Sequence, residues 1–352
     1  MERYQRQIIL KEVGQQGQNK LLNAKVLVVG AGGLGSPVLF YLAAAGIGTI
    51  AIADFDNVSL HNLQRQILFH QNQMNQNKAI AASANLTLLN PDTQLIIYED
   101  GIHLQNFKEI IPLYDIIVDG SDNFTTKYLV NDACFVFEKP LVYGAIFQWE
   151  GQFSVLNYPL REGFSANLRD LFPYPPTEKD SPSCSTAGII GPVAGVIGSF
   201  MANEVIKIIL GLHEQIPYNH IISLNLLTLE YKKIRFHPNP SNPLTKNWNF
   251  ENYDYEFLCQ KEIFPQEFTL NLEKFEQIKN SGQPYLLVDV REEYEHAEKN
   301  LGGINVPMGK LNTNELDPNI PIIFYCNSGE RSKFCALQWQ KKGFKTYNLV
   351  TN

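Results

Sequence analysis

A glycine-rich run, Gly30-Ala31-Gly32-Gly33-Leu34-Gly35, follows the apolar segment Lys25–Val29 and opens a helical pattern. Glycines at such a strand-to-helix turn let backbone N–H groups approach a phosphate held at the helix N-terminus. Nineteen residues after Gly35 comes Asp54, at the end of the next strand pattern, where a carboxylate can bind ribose hydroxyls. That much predicts a nucleotide and leaves its kind open: a nicotinamide enzyme carries the same turn, and some such turns are only structural. The residues downstream separate these readings. Asp54-Phe55-Asp56 is followed by Asn62-Leu63-Gln64-Arg65-Gln66 and then Lys78, and Asp122 closes Asp119-Gly120-Ser121-Asp122-Asn123. A dinucleotide needs few cations beside its two phosphates, whereas a triphosphate under attack needs several, together with a carboxylate for Mg²⁺.

Two cysteines stand where sulfur chemistry is possible. Cys184, in Pro182-Ser183-Cys184-Ser185-Thr186-Ala187-Gly188, precedes a helix opened by glycine and proline, and a helix N-terminus favours thiolate. A buried structural cysteine is the equal alternative. Cys326 begins Cys326-Asn327-Ser328-Gly329-Glu330-Arg331-Ser332, between the apolar strand Pro321–Tyr325 and a helix. Successive backbone N–H groups can surround a sulfur placed there.

The first set of residues resembles the MoeB/ThiF/HesA group, which includes the ubiquitin-activating enzymes, over about residues 2–236. By that resemblance Gly32 and Gly33 line the phosphate loop, and Asp54, with Asp56 beside it, holds the ribose. Asn62, Arg65, Gln66 and Lys78 lie at the nucleotide, and Asp122 coordinates Mg²⁺. Arg3-Tyr4-Gln5-Arg6-Gln7 matches the group's N-terminal signature, whose second arginine, here Arg6, reaches the ATP of a partner subunit. A homodimer is implied, and the apolar segment Ile189–Leu210 also needs cover. The implied reaction is ATP-dependent adenylation of the C-terminal Gly carboxylate of a small ubiquitin-like sulfur-carrier protein, of the MoaD or ThiS type, with a Gly-Gly tail. In many members of the group a cysteine at the position of Cys184 is proposed to bond covalently with the activated carrier.

The Cys326 loop, with Val288-Asp289-Val290-Arg291-Glu292 upstream, resembles a rhodanese domain over about residues 268–352. Cys326 would carry the persulfide, received from a desulfurase or from thiosulfate. Phosphatases of this fold use a loop one residue longer; here four residues separate Cys326 from Arg331, the sulfur-type length. The two resemblances together imply a MoeB-type adenylyltransferase and sulfurtransferase serving molybdopterin, thiamine or a related thiolation pathway. The sequence also departs from its relatives. They often bind a structural zinc through two CxxC pairs, but Asn167-Leu168-Arg169-Asp170 and Pro238-Asn239-Pro240-Ser241 stand in those places. No zinc is expected. The chain also stops at Asn348-Leu349-Val350-Thr351-Asn352, where rhodanese domains usually run on.

The elements that must position these residues alternate. Strands at Lys25–Val29, Thr49–Asp54, Gln94–Tyr98, Asp115–Asp119 and Pro140–Ile146 are separated by helical patterns at Leu34–Ala45, Gln76–Leu89, Leu104–Pro112 and Phe124–Phe137. Such alternation predicts a Rossmann-like, doubly wound, mostly parallel α/β sheet. Tyr158–Ser185 reads as a functional crossover loop. After the helix at Ile189–Leu210, Ile221–Leu227 and Leu229–Phe236 predict an antiparallel extension. His237–Pro243 breaks every pattern and predicts a linker. Beyond it a smaller α/β domain restarts with a helix at Leu272–Asn280, strands at Tyr285–Asp289 and Pro321–Tyr325, and a helix at Arg331–Lys342. The expected domains are 1–236 for adenylation, 237–267 as linker and 268–352 for sulfur transfer.

Composition sets the remaining bounds. The net charge of −7 argues against a nucleic-acid partner, which needs a basic face. Five scattered cysteines and a start without an apolar leader fit a reducing, cytoplasmic setting. The longest uncharged stretch, Ala187–Asn203, is too short to span a bilayer and predicts a buried helix rather than a membrane anchor. Two other function classes compete: a nicotinamide-dependent oxidoreductase, against which Arg65, Lys78 and Asp122 speak, and a scaffold that binds a carrier tail without consuming ATP.

Overall fold

The computed structural model describes residues 2–175, 188–240, 242–244, 248–250, 253, 255, 268–311, 320–327 and 329–350. Cys184 lies outside the described residues. The chain divides into two compact units, Met1–Trp248 and Asn249–Asn352.

The first unit is built on an eight-stranded sheet in the order β3-β2-β1-β4-β5-β6-β7-β8. β1 (Lys25–Val29), β2 (Thr49–Ala53), β3 (Gln94–Tyr98), β4 (Ile116–Asp119) and β5 (Leu141–Phe147) run parallel. β1, β2 and β4 are almost entirely buried, as apolar runs of this kind must be when helices cover both faces. β6 (Glu150–Leu156), β7 (His220–Asn225) and β8 (Glu230–Arg235) continue the sheet antiparallel. The doubly wound sheet and its antiparallel extension are therefore as expected, with β6 as an addition. Gly151, Gln152 and Ser154 interrupt its apolar pattern, so register with β5 and β7, not periodicity, makes it a strand.

The helices of this unit are α1 (Gln5–Ile8), α2 (Gly14–Asn23), α3 (Gly35–Ala45), α4 (Lys78–Leu89), α5 (Phe107–Ile110), α6 (Phe124–Val136), α7 (Leu168–Leu171) and α8 (Gly191–Leu210). The helix expected over Leu104–Pro112 is only α5 followed by a 3₁₀ turn at Ile111–Leu113; Pro112 has no N–H with which to continue an α-helix. α8 is long and apolar enough to cross a membrane by length and composition, but half of that window is buried inside the unit. It packs on α3, β5 and β6. Val193, Ile197, Met201, Ala202 and Val205 join the central core of Val26, Val28, Leu39 and Ile52. Much of the cover that this apolar segment needs therefore comes from its own chain.

The first unit does not stop where the sheet ends. Asn239 N–H and Asn242 Nδ2 each donate to Asp170 Oδ1 at 2.8 Å, and Asn242 Nδ2 lies 3.2 Å from Asn167 Oδ1. Asn167 and Asp170 occupy the place of the first CxxC pair. Here hydrogen bonds join the crossover segment to the segment after β8. Next to it, Arg169 is fully buried, paired with Asp132 at 2.6 Å and stacked against Tyr128 and Trp248. Among the described residues no group of three or more His, Cys, Asp or Glu side chains converges as a metal site.

The second unit holds a five-stranded parallel sheet in the order β11-β10-β12-β13-β9. β9 is Thr269–Leu270, β10 Leu286–Asp289, β11 Ile304–Asn305, β12 Ile322–Tyr325 and β13 Thr346–Leu349. Its helices are α9 (Leu272–Asn280), α10 (Glu293–Glu298) and α11 (Glu330–Lys341). Leu270, Phe275, Leu287, Ile323, Tyr325 and Leu349 form its core.

Candidate active site

In an open α/β sheet, ligands bind where neighbouring strands send their crossovers to opposite sides, beyond the carboxyl ends of those strands. Here that point lies between β1 and β4, and the glycine turn and the Asp119–Asn123 segment emerge side by side from it. Gly30 sits at φ +88°, and a β-carbon on it would lie 2.9 Å from the Gly120 carbonyl carbon. A β-carbon on Gly35 would come within 1.9 Å of the Gly30 carbonyl oxygen. The turn can close tightly against β4 only as glycine. Gly120 N–H donates to Val29 O at 2.8 Å and fastens the two segments together.

Gly32 and Gly33 face the Asn62–Gln66 segment. Their missing β-carbons would stand 3.4 Å from Gln66 Nε2 and 3.7 Å from Arg65 Cδ and Cγ. Arg65 is held by its own neighbours, with Nη2 donating to Asn62 Oδ1 and Nη1 to His61 O, both at 3.2 Å. Gln66 is 4% exposed, yet its Oε1 has no hydrogen-bond partner. An amide oxygen accepts, so Gln66 suits a nucleotide's hydroxyl or amino donor, whereas the side-chain-free loop beside Arg65 suits its phosphates. The residues present therefore fit a nucleotide.

Asp54 does more than the sequence indicated. Its Oδ2 accepts from Ala31 N–H at 2.7 Å and its Oδ1 from Asp56 N–H at 2.9 Å. It braces the glycine turn from below. Burial raises its pKa, against the opposing pull of Lys78 and the two backbone N–H groups. Lys78, the first residue of α4, is 3% exposed and pairs with Asp56 Oδ2 at 2.8 Å. Asn77 sets this arrangement: its Oδ1 caps α4 by accepting from Ala79 N–H and Ile80 N–H. Its Nδ2 donates to Asp54 O. Asn77 was not singled out in the sequence, although an Asn before a helical run is an N-cap signal.

Asp122 is exposed, in the turn that abuts the glycine loop. An exposed carboxylate at that place is of the kind that would hold a divalent cation. Arg6 is placed elsewhere. Tyr4 packs under Gly46, and Gln7 Nε2 donates to Ala45 O at 2.8 Å, so this segment docks on the C-terminal end of α3. α3 is about 16 Å long at 1.5 Å per residue, and the glycine loop is at its other end. Arg6 is exposed there and is not brought to the site of its own chain.

In the second unit Cys326 follows β12 and is buried. Ser332 N–H points at its Sγ from 3.5 Å and Ser332 Oγ lies 3.3 Å away. That hydroxyl also donates to Asn348 Oδ1 at 2.7 Å. Two ion pairs shape the loop. Arg331 makes a bidentate bridge to Glu295 at 2.6 and 2.7 Å, and Arg291 is locked on Asp289 at 2.6 Å. Asn327 is clamped between them: it accepts from Arg291 Nη1 at 2.8 Å and donates to Glu295 Oε1 at 3.1 Å. Burial opposes ionisation of Asp289 and Glu295, but hydrogen bonds from Arg291 and His296 on the first, and Arg331 on the second, outweigh it and hold both pKa values low. Cys335, on α11, is buried and its thiol pKa is pushed up by desolvation, so it stays a neutral thiol.

Comparison with known proteins finds a match for each part of the chain. The ThiF family matches residues 4–244 and the rhodanese-like domain residues 271–351. A sulfur carrier protein adenylyltransferase of Thermus thermophilus is 41% identical over 262 residues, covering 74% of this chain and 96% of that protein. The adenylyltransferase and sulfurtransferase MOCS3 of Dictyostelium discoideum is 37% identical, covering 83% and 71%. A Mycobacterium tuberculosis protein named "Probable adenylyltransferase/sulfurtransferase MoeZ" is 36% identical over 97% of this chain and 88% of its own. Among solved structures, E. coli MccB with ATP superposes with a TM-score of 0.57 at 22% identity, covering 68% of this chain and 73% of that one, a likeness of fold. The chain belongs to the ThiF family of ATP-using adenylyltransferases, of the MoeB type, and carries a rhodanese-like sulfurtransferase domain at its C-terminal end.

Proposed function

We propose that the chain adenylates the C-terminal Gly carboxylate of a small ubiquitin-like sulfur-carrier protein and that Cys326 then delivers the sulfur that replaces the adenylate. Residues 1–236 would carry the first step and residues 268–352 the second, joined through 237–267. The observation that carries this reading is the closing of Gly32 and Gly33 on Arg65 and the orphaned Gln66 amide, with Lys78 and Asp122 on the adjoining segments. The relatives named as sulfur carrier protein adenylyltransferase and as MOCS3 support the carrier and the sulfur step. A carboxylate oxygen of the carrier attacks the α-phosphate and pyrophosphate leaves. The nucleophile is already ionised at neutral pH, so no general base is required. The protein's part is to neutralise charge and hold geometry. Arg65 and Lys78 offer cations to the phosphates, and a Mg²⁺ held by Asp122 would add Lewis-acid neutralisation of the leaving pyrophosphate. A persulfide on Cys326, loaded by a desulfurase or by thiosulfate, would attack the acyl carbon and expel AMP. A second thiol, from the chain or an added dithiol, would then cleave the S–S bond of the resulting acyl disulfide, releasing the carrier thiocarboxylate and leaving Cys326 in a disulfide with that thiol. The setting would be cytoplasmic, since the sulfur step needs Cys326 as a free thiol, with molybdopterin, thiamine or a related thiolation as the pathway served.

Intact mass of candidate carriers after incubation with enzyme and ATP tests this. A carrier with an AMP adduct, or with one oxygen exchanged for sulfur once a sulfur donor is added, is the expected product. ATP left unconsumed with every Gly-Gly carrier offered would reduce the protein to a binding scaffold.

The placement of Arg6 supports a homodimer in which each subunit lends this residue to the other's nucleotide. Arg6→Ala and Asp122→Ala proteins should each be nearly inactive in pyrophosphate exchange, and mixing them under subunit exchange should restore up to about a quarter of wild-type activity, the share of sites with neither lesion. No recovery in proven heterodimers would mean that Arg6 acts in its own subunit or not at all.

A further inference from the structure

Lys127 lies outside every motif considered so far, on the second turn of α6, and it is buried with its charge inside the sheet. Its Nζ donates to Asp119 Oδ2 at 3.0 Å and to Gly144 O at 2.8 Å, and it sits 4.8 Å from the centre of the Tyr143 ring. The side chain therefore ties α6 to the end of β4 and the middle of β5. Asp119 is fully buried, and its other oxygen, Oδ1, accepts from both the N–H (3.0 Å) and the Oγ (2.5 Å) of Ser121. Ser121 is the residue before Asp122. The next residue, Asn123, caps α6 by accepting from Thr126 N–H at 2.8 Å. The turn that carries Asp122 is thus pinned at both ends, by Asp119 before it and by the helix that bears Lys127 after it.

We propose that Lys127, acting through its buried pair with Asp119, is a positioning residue of the adenylation site that fixes the Gly120–Asn123 turn and so the Asp122 carboxylate. The role rests on the adenylation reading only in what Asp122 is for. A pair whose sole purpose was to pack α6 on the sheet would be served as well by apolar side chains of similar size, because buried ion pairs cost much of what they return. What apolar residues would not do is end on Ser121. The Asp119 carboxylate has one face for Lys127 and one for the turn, so without the lysine it is free to rotate. The two Ser121 hydrogen bonds that orient the turn then weaken. The acidic and phenolic groups around Nζ are Asp119, Asp122 and Tyr143.

The test uses the full-length protein and Mn²⁺ in place of Mg²⁺, with a non-cleavable α,β-methylene ATP analogue, and reads Mn²⁺ affinity by electron paramagnetic resonance. Lys127→Met should weaken Mn²⁺ binding to the protein–nucleotide complex by about 10- to 100-fold, the usual loss when a partner orienting a metal ligand is removed. Metal-free nucleotide binding should change far less, and Lys127→Arg, which keeps the charge and can reach both acceptors, should recover most of the loss. Should Lys127→Met fail to fold, Lys127→Met with Asp119→Asn leaves no unpaired charge and is put through the same comparison. Wild-type Mn²⁺ affinity in a folded Lys127→Met or double variant would overturn the proposal. So would an equal fall in metal-free nucleotide binding, the mark of general damage. A wild-type protein that adenylates no carrier but binds Mn²⁺ in a Lys127-dependent way would sink the carrier reading and leave the positioning role standing.

Discussion

Arg65→Ala, Lys78→Ala and Asp122→Ala should each lower carrier adenylation by about 100-fold or more, the scale on which one preorganised charge-stabilising group acts. The reason is that nothing else in the proposed reaction needs help. The attacking carboxylate is ionised, the leaving pyrophosphate is a good one, and what remains is negative charge crowded at one place. The three substitutions differ in their side effects, which makes the set informative. Asp122 is exposed, so its loss should leave thermal stability unchanged and act on rate alone. Lys78 is buried, but Asp56, its partner, is half exposed and remains solvated when left alone. Lys78→Ala should therefore cost modest stability beside its large effect on rate. Arg65 holds Asn62 Oδ1, so Arg65→Ala should also raise KM for ATP by loosening the segment that carries Gln66. Pyrophosphate exchange with a competent carrier, measured beside thermal melting, reads all three. Wild-type rates in the Asp122 variant would show that the metal is held elsewhere.

What could be read from the residues alone depended on how local the signal is. The glycine turn, Asp54 and Lys78 announce themselves because each sits at the end of an apolar strand or the start of a helix, where backbone geometry limits the choice of residue. The helix expected at Leu272–Asn280 has those bounds in the structure, where Asn271 caps it by accepting from Lys274 N–H. The interior contacts were not legible. Lys127 meets Asp119 and Gly144 only once β4 and β5 lie side by side, and no period in the sequence marks it. The hydrogen bonds from Asn239 and Asn242 to Asp170 join residues about seventy apart in the chain. The sequence indicated what those positions lack, two CxxC pairs, but not that Asn and Asp would join the same two segments by hydrogen bonds. Arg6 was read from a resemblance, and the structure docks its segment at the far end of α3 from its own chain's phosphate loop, as the proposed homodimer would require.

The second large effect separates the two chemistries. Adenylation needs the nucleotide, the carrier tail and the residues of the first unit, whereas sulfur delivery needs a thiolate in the loop after β12. Cys326→Ala should therefore leave pyrophosphate exchange intact and abolish sulfur transfer from thiosulfate or a desulfurase. Loss of the thiol proposed to carry the sulfur removes the pathway rather than slowing it. Removing one sulfur atom should also do little to the fold. The Arg331–Glu295 bridge and the Asn327 clamp hold the loop from outside, and Ser332 keeps its bond to Asn348. Cys335 cannot substitute, because burial keeps it a neutral thiol. Cys184→Ala should also spare exchange, since the adenylate forms before any thiol acts, while slowing carrier thiolation if that cysteine bonds the activated carrier. Both steps assayed on both variants give four numbers. Undiminished sulfurtransferase activity in the Cys326 variant would refute its role as the sulfur carrier. Loss of exchange in a folded Cys326 variant would instead show that the two units work as one enzyme, because a thiol that adenylation chemistry does not need would then be controlling the phosphate site.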